Sequence, residues 1–307
     1  MPQPARAVSL AVVAVLAVAL CAGVVATLRP SADSPSSPPS SRPLMYGLTL
    51  DAVTDVEAIT DYLDSLPGPR PVVRIVFDEG RTPESYAPAV ATIAQHADVM
   101  GLVADSSIMA RLSEQAHLER TRHYLEVLGD DVTIWEVGNE VNGEWAGDRR
   151  EVARKVMAAN ALVRESGGRT ALTLFYNPWC YRDAENLMTR WAREELTQAE
   201  RDSVDQVLIS YYPQECQGRF PESWDEVFDE VGELFPHALL GFGEVGLTSP
   251  VTPETQQEAE RTMRYFYAQR PDHDRFIGGW FWWCARQDLV EPPHLMRQSY
   301  RDVLPSE

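Results

Sequence analysis

The chain has 307 residues, 44% of them hydrophobic, and its 46 acidic and 27 basic residues give a formal charge of −19. This composition, with eight tryptophans, excludes a disordered chain and allows a substantial core. Because like charges repel, the acidic balance disfavours nucleic acid, anionic lipid surfaces and, more weakly, polyanionic substrates as partners.

Two segments precede the main domain. Residues 1–29 include a run without charge from position 7 to 28, which is typical of a signal peptide or a membrane anchor. Two fates are open: cleavage by a signal peptidase near the small residues 24–26, or retention as a membrane tether. A lipid anchor at Cys21 is disfavoured because the preceding residue is too large. Residues 30–43 are mostly Ser and Pro and predict an extended linker. We therefore expect a secreted or membrane-anchored domain outside the cytoplasm.

The remaining residues, 44–307, alternate short β-branched runs with longer helical patterns. Eight strands are predicted to begin near Met45, Val72, Val99, Val132, Thr170, Val207, Ala238 and Arg275. Apolar residues at three- and four-residue spacing predict helices between them, among them Ala110–Leu128, Arg149–Ser166 and Glu254–Gln269. This order predicts a single α/β domain, a (β/α)8 TIM barrel. No glycine-rich phosphate loop follows the first strand, which disfavours a nucleotide-binding open sheet.

Three cysteines lie in this domain. Cys180 and Cys216 each follow a strand, and the two strands are predicted neighbours. We expect them to form a disulfide that joins two adjacent loops, with Cys284 left free. The alternative is three buried thiols.

In such a barrel the C-terminal strand ends carry the chemistry. Two glutamates stand out there, Glu140 after the fourth strand and Glu244 in the seventh, because apolar residues and glycine flank both. The other polar or aromatic residues at these ends are Asp51, Arg74, Asp78, Asp105, Asn139, Asn177, Trp179, Tyr211, Tyr212, Trp280, Trp282 and Trp283. Each residue alone could be a solvated acid or a core aromatic, but the joint placement of the two glutamates indicates a site.

Hydrolysis of a glycosidic bond needs two carboxyl groups. One protonates the leaving oxygen, and in a retaining enzyme the other attacks the anomeric carbon. Strands four and seven face each other across a small barrel mouth, so Glu140 and Glu244 can meet over one sugar. We expect the apolar surroundings and the second carboxylate to raise the pKa of Glu140.

Further residues are candidates for substrate binding. Asn139 can reach a sugar 2-hydroxyl, and Arg74 and Tyr212 can hydrogen-bond the attacking carboxylate and keep it ionised. Asn177 and Trp179 follow the fifth strand, where an aromatic ring offers a flat face to a pyranose.

Five short motifs resemble those of clan A glycoside hydrolases. Trp135–Glu140 (WEVGNE) resembles the clan's Asn-Glu acid/base motif, and Gly241–Gly246 (GFGEVG) resembles its nucleophile strand. Val73–Ile75 is similar to the second-strand arginine motif of the cellulase-like family 5. Ser210–Pro213 is similar to the sixth-strand tyrosine motif of galactanase-like members, and Gly279–Trp283 to the eighth-strand tryptophan.

This resemblance implies retaining hydrolysis of β-linked sugars, with Glu140 as acid/base and Glu244 as nucleophile. It also implies that Trp283 floors the subsite of the cleaved sugar. The chain departs from family 5 at Asp105 and Ser210, which fall near positions where many members have histidine, so the sugar recognised is left open.

Asn142, Glu144 and Trp145 follow the acid/base motif. Either they build a leaving-group subsite or they cap a helix and lie at the surface.

Other functions have less support. The six histidines fall mainly in helices and loops, so a zinc site lacks ligands, and no Gly-x-Ser-x-Gly elbow is present. We expect no metal, no cofactor, no nucleic acid partner, a monomer, and an oligo- or polysaccharide substrate. The alternatives are a non-catalytic carbohydrate-binding barrel at the cell surface and a barrel that is a scaffold for another envelope protein.

Overall fold

The computed structural model describes residues 43–305. The predicted signal or anchor segment, residues 1–29, and the linker up to residue 42 lie outside the described residues. Among residues 43–305, no helix combines the length and the apolar character that crossing a bilayer requires.

The described residues form a closed barrel of eight parallel strands in sequence order, with helices between the strands. The strands are β1 Met45–Leu50, β2 Val72–Val76, β3 Asp98–Leu102, β4 Ile134–Gly138, β5 Thr170–Phe175, β6 Gln206–Tyr211, β7 Leu239–Gly246 and β8 Gly278–Trp283. The helices are α1 Val56–Asp64, α2 Ala87–His96, α3 Ser106–Met109, α4 Glu114–Leu128, α5 Arg149–Glu165, α6 Met188–Glu195, α7 Gln198–Asp202, α8 Trp224–Leu234, α9 Gln256–Ala268 and α10 Arg297–Val303. The predicted (β/α)8 fold is therefore confirmed.

Two of the predicted boundaries that differ from the observed ones do so for identifiable local reasons. Helix α4 begins at Glu114 rather than at residue 110, because the Ser113 side chain accepts a hydrogen bond from the Ala116 N–H (3.1 Å) and caps the helix there. Strand β8 begins at Gly278 rather than at residue 275, because the Phe276 N–H still donates to a carbonyl of the preceding turn.

The barrel interior is layered, since alternate residues of a strand face the same side. Its floor is an apolar cluster with one side chain from each of six strands: Val72, Met100, Ile134, Ala171, Leu208 and Phe281. Two residues further along β2, β4 and β5 the inward side chains are Arg74, Glu136 and Thr173, which form a polar layer. The interior thus changes from apolar at the base to charged toward the mouth.

Strand β7 contains a bulge that sets the direction of Glu244. Ile209 of β6 pairs with Phe242, whereas Tyr211, two residues on, pairs with Val245, three residues on. Phe242 and Val245 both belong to the core between the strands and the helices. The extra residue allows Glu244 to face the interior, although regular alternation from Phe242 would place it outside.

The predicted disulfide is confirmed. Cys180 and Cys216 are bonded, with their Cα atoms 4.8 Å apart, and they join the loops after β5 and β6. Within the described residues Cys284 is a free, buried cysteine, as expected.

Candidate active site

A cavity of about 440 Å³ opens at the C-terminal ends of the strands. Glu140 and Glu244 both line it, together with Asn139, Tyr212 and Trp283. The two glutamates are nearly buried, with 8% and 6% of their surfaces exposed. The structure therefore brings five of the predicted site residues to one cavity.

Arg74 is the cation beneath this cavity. Its guanidinium donates through Nη1 to Glu244 and through Nε to Glu136, and all three side chains are buried. Thr173 donates to the second oxygen of Glu136 (2.5 Å). Attraction to the two carboxylates outweighs the cost of burial and raises the pKa of Arg74, so that it stays charged.

Ser210 of β6 and Tyr212, the first residue after that strand, bind the two candidate catalytic carboxylates. The Ser210 hydroxyl donates to Glu140 (2.5 Å), and the Tyr212 hydroxyl donates to Glu244 (2.8 Å). Both glutamates line the same cavity, and the two residues that bind their carboxyl groups lie at the end of β6 and directly after it.

The backbone of Glu140 is strained. Its φ is +45°, in a region that residues with a side chain rarely adopt, and it directly follows Asn139 at the end of β4. Its carbonyl accepts a hydrogen bond from the Gly143 N–H (2.7 Å), and the Val141 N–H donates to the Thr173 carbonyl (3.3 Å). These bonds hold the turn that directs the Glu140 carboxyl group into the cavity.

Asn139 has one free polar atom at the cavity. Its amide nitrogen donates to Asp105 (3.3 Å), while its Oδ1 has no hydrogen-bond partner among the described residues. Only 2% of the residue is exposed. A buried amide oxygen without a partner is costly, so this atom is poised to accept a hydrogen bond from a ligand hydroxyl.

The two glutamates have different electrostatic surroundings. Burial raises the pKa of Glu140 well above its usual range, and the carboxylates of Glu244 and Asp105 raise it further against the hydrogen bond from Ser210. Burial also raises the pKa of Glu244, although Arg74 and the Tyr212 hydrogen bond lower it. The expected partners Arg74 and Tyr212 do contact Glu244 and lower its pKa. Burial outweighs both of them, so the pKa of Glu244 lies above its ordinary value.

Two predicted site residues lie apart from the glutamates. The side chain of Asn177 donates to the Asn186 carbonyl (2.9 Å) and accepts from the Met188 N–H (3.2 Å), so it orders the start of α6. Trp179 packs edge-on against Tyr176 with the ring centroids 5.9 Å apart. The structure does not bring either of them to Glu140.

The tryptophans of β8 divide between core and cavity. Trp280 and Trp282 are fully buried, and the Trp282 indole N–H donates to Asp288 (2.9 Å). Trp283, the last residue of the strand, is half-buried and lines the cavity. Only this third tryptophan can offer a ring to a ligand there.

The three residues after the acid/base motif have separate roles. Asn142 is fully buried, and its amide exchanges hydrogen bonds with the backbone of Phe175 and donates to the Asn186 carbonyl (3.0 Å). Glu144 accepts from the backbone N–H groups of the loop at 182–183. Asn142 is therefore structural, whereas Trp145 remains exposed.

Sequence reasoning gave no role to two residues that contact the site directly, Glu136 and Ser210. The available signal was strand alternation: Glu136 is two residues from the floor residue Ile134, and Ser210 is two residues from Leu208. A charged side chain on the inward face of an apolar strand needs a buried partner. That partner is Arg74, two residues along from the floor residue of β2.

The cavity lining is strongly acidic. Besides the two glutamates it includes the carboxyl side chains of Asp51, Asp78, Glu79, Asp105 and Glu215. No lysine or arginine of the described residues contributes to this lining. Within residues 43–305, no group of three or more His, Cys, Asp or Glu side chains is arranged to hold a metal ion.

No protein-family model and no curated protein sequence matches this chain. Among solved structures, the mannotriose complex of the Thermomonospora fusca beta-mannanase is 17% identical, with a TM-score of 0.50 over 85% of this chain and 90% of that chain. The Streptomyces thermolilacinus beta-mannanase with mannohexaose is 16% identical, with a TM-score of 0.51 over 86% and 91%. A beta-glucosidase in its apo form is 15% identical, with a TM-score of 0.51 over 83% and 90%. The resemblance read from the sequence motifs is thus confirmed at the level of fold: the chain has the (β/α)8 barrel of these glycosidases.

Proposed function

We propose that this chain is a retaining glycoside hydrolase that cleaves β-linked glycans. The observation that carries the proposal is the pairing at the end of β6, where Ser210 binds one carboxyl group and Tyr212, the next residue but one, binds the other within a single cavity. Two carboxyl groups at the barrel mouth are what acid-assisted double displacement requires. The likeness in fold to beta-mannanases that hold mannotriose and mannohexaose supports a carbohydrate ligand.

In this mechanism the two glutamates have opposite protonation states. Glu140, whose pKa is raised more, holds the proton that it gives to the leaving oxygen. Glu244, next to Arg74 and Tyr212, is ionised and attacks the anomeric carbon to form a glycosyl ester. Glu140 then removes a proton from water, and the resulting attack releases a sugar with the original β configuration.

Binding of the cleaved sugar is assigned to Asn139 and Trp283. The free Oδ1 of Asn139 accepts a hydrogen bond from a sugar hydroxyl, and the Trp283 ring packs on the apolar face of the pyranose. Because the cavity lining is acidic, a neutral glycan fits it better than a polymer of uronic acids.

We also propose that the barrel acts outside the cytoplasm, with its N-terminal segment as a signal or an anchor. The Cys180–Cys216 disulfide supports this location, because disulfides persist in oxidising compartments.

The direct test is hydrolysis of 4-nitrophenyl β-glucoside, β-mannoside and β-xyloside and of β-glucan, β-mannan and xylan, with proton NMR of the first sugar released. We expect the β anomer to appear first and the α anomer only later by mutarotation. An α anomer formed first would contradict the retaining mechanism. Binding of a glycan without any product would favour the non-catalytic barrel.

The pH dependence of kcat/KM should be bell-shaped. As pH falls, Glu244 becomes protonated and loses nucleophilicity, so the acid limb follows the pKa of Glu244. Because that pKa is raised, the acid limb lies above pH 4.5, the ordinary pKa of a glutamate side chain. As pH rises, Glu140 loses its proton, so its strongly raised pKa sets the basic limb. The two limbs report apparent pKa values of the interacting pair.

Two variants test which glutamate sets which limb of the pH profile. Ser210→Ala removes a hydrogen bond that lowers the pKa of Glu140, so the basic limb should move to higher pH. Tyr212→Phe removes one that lowers the pKa of Glu244, so the acid limb should move to higher pH. The roles would be wrong if each variant moved the other limb.

A further inference from the structure

A second cavity, of about 320 Å³, lies beside the first. Glu215, in the loop after β6, lines both of them, so the two cavities are neighbours at the barrel mouth. The second cavity is bounded by Glu144 and Trp145 from the loop after β4 and by Tyr181 from the loop after β5. It therefore lies on the side of Glu140, away from Trp283 on β8.

Exposed aromatic rings are concentrated at this cavity. Among the described residues the strongly exposed large apolar side chains are Trp145 (43%), Tyr181 (41%) and Phe220 (36%). Two of these three line the second cavity. Large aromatic surface left open to water beside a concave site is typical of ligand binding.

Trp145 is exposed but fixed in orientation. Its indole N–H donates to the Ser106 hydroxyl (2.9 Å), and its ring packs edge-on against Phe175 with the centroids 5.4 Å apart. A Cβ at Gly143 would lie 2.5 Å from the indole, so the ring rests directly on the backbone there. A ring already held in place loses little freedom when a ligand stacks on it.

The loop with Tyr181 is held from two sides. Tyr181 directly follows Cys180, whose disulfide partner Cys216 directly follows Glu215. The Glu144 carboxylate accepts hydrogen bonds from the backbone N–H groups of the next two residues in that loop. The disulfide and Glu144 thus fix the positions of Tyr181 and Glu215, which surround the cavity together with Trp145.

Glu215 is the polar group between the two cavities. Its carboxylate makes no ion pair or hydrogen bond with the described part of the chain, and partial burial raises its pKa. A carboxylate in this position can accept hydrogen bonds from the hydroxyls of a sugar that extends from one cavity into the other.

We propose that the second cavity binds the sugar unit on the leaving-group side of the cleaved bond, with Trp145 and Tyr181 as stacking platforms and Glu215 as hydrogen-bond acceptor. This inference rests on the proposed function, because Glu140 defines the leaving-group side. It makes the substrate an oligosaccharide or a polysaccharide chain that continues past the cleaved bond, rather than a simple glycoside.

The test compares two substrates on the same variants. Trp145→Ala and Tyr181→Ala should each lower kcat/KM about ten-fold on β-linked tetrasaccharides of glucose, mannose or xylose, equivalent to about 1.4 kcal/mol. With the β-glycosyl fluoride of the same sugar, whose leaving fluoride has no ring that could stack on Trp145 or Tyr181, the rate should stay within about two-fold. Phe220→Ala, which removes an exposed aromatic ring elsewhere, should affect neither substrate. Equal losses on both substrates, or no loss on either, would overturn the proposal.

A binding measurement keeps this inference separate from the proposed function. In a Glu244→Gln background, calorimetric titration with the tetrasaccharides gives a dissociation constant without turnover. Adding Trp145→Ala or Tyr181→Ala to that background should weaken tetrasaccharide binding about ten-fold. If the parent chain releases no product from the aryl glycosides, the tetrasaccharides or the polysaccharides, the proposed function fails. If the added substitutions leave tetrasaccharide binding unchanged, or if the Glu244→Gln protein binds no tetrasaccharide, the subsite fails.

Discussion

Replacing Glu244 with glutamine is expected to lower kcat on β-linked glycans by on the order of 10⁴-fold, equivalent to about 5.5 kcal/mol of transition-state stabilisation. Glutamine keeps the shape of the side chain, and its single amide oxygen can still accept a hydrogen bond from Arg74 or from Tyr212. It cannot form the glycosyl ester, so the double displacement loses its first step. The measurement is kcat with the best substrate of the parent chain, together with the denaturant midpoint to show that the variant is folded.

Glu79→Gln is the matched control for this variant. Glu79 also lines the cavity, but it lies at the exposed rim and pairs with Arg111 (2.8 Å). Its replacement should change kcat by less than about two-fold. A Glu244→Gln protein with the activity of Glu79→Gln would rule out Glu244 as the nucleophile.

Replacing Glu140 with alanine is expected to give losses that depend on the leaving group. General acid catalysis contributes about 10²–10⁴-fold when the leaving group needs a proton. A natural glycan should therefore lose activity by about that factor, whereas a 2,4-dinitrophenyl glycoside, which leaves as a stable anion, should lose much less in its first step. The basic limb of the pH profile should disappear at the same time, because Glu140 is the group that titrates there.

Added azide distinguishes the two roles by stereochemistry. In Glu140→Ala the glycosyl ester still forms, and azide attacks it to give a β-glycosyl azide. In Glu244→Ala no ester forms, so azide in the vacated space attacks the β-glycoside directly and gives an α-glycosyl azide. The opposite pairing of products would show that the roles of Glu140 and Glu244 are exchanged.

The fold could be read from the sequence because its signals are local. Each strand is a short apolar run, each helix has its own periodicity, and the chain connects neighbours in order. The boundaries that shifted depend on single contacts, such as the Ser113 cap of α4. Strand ends also indicated which residues meet at the mouth, since a barrel places all eight ends at one side.

The partners of the glutamates could not be read in the same way. Ser210 and Glu136 contact the site because of strand register, which is irregular between β4 and β5 and between β6 and β7, and no local pattern specifies these steps. The pKa of Glu244 depends on whether burial, which raises it, has a larger effect than the contacts with Arg74 and Tyr212, which lower it. That comparison requires the packed structure, because the sequence gives the residue types but not the extent of burial.

The bulge in β7 also restricts how this barrel can be redesigned. A side chain at Gly243 would lie 2.9 Å from Thr173, and Thr173 donates its hydroxyl to Glu136, which in turn holds Arg74 against Glu244. A larger residue at position 243 would therefore disturb Glu244 in two ways. It would shift the backbone of β7, which carries Glu244, and it would shift Thr173 and through it Glu136 and Arg74. New specificities must consequently be engineered in the loops beyond the strand ends, where an altered length leaves the charged layer intact.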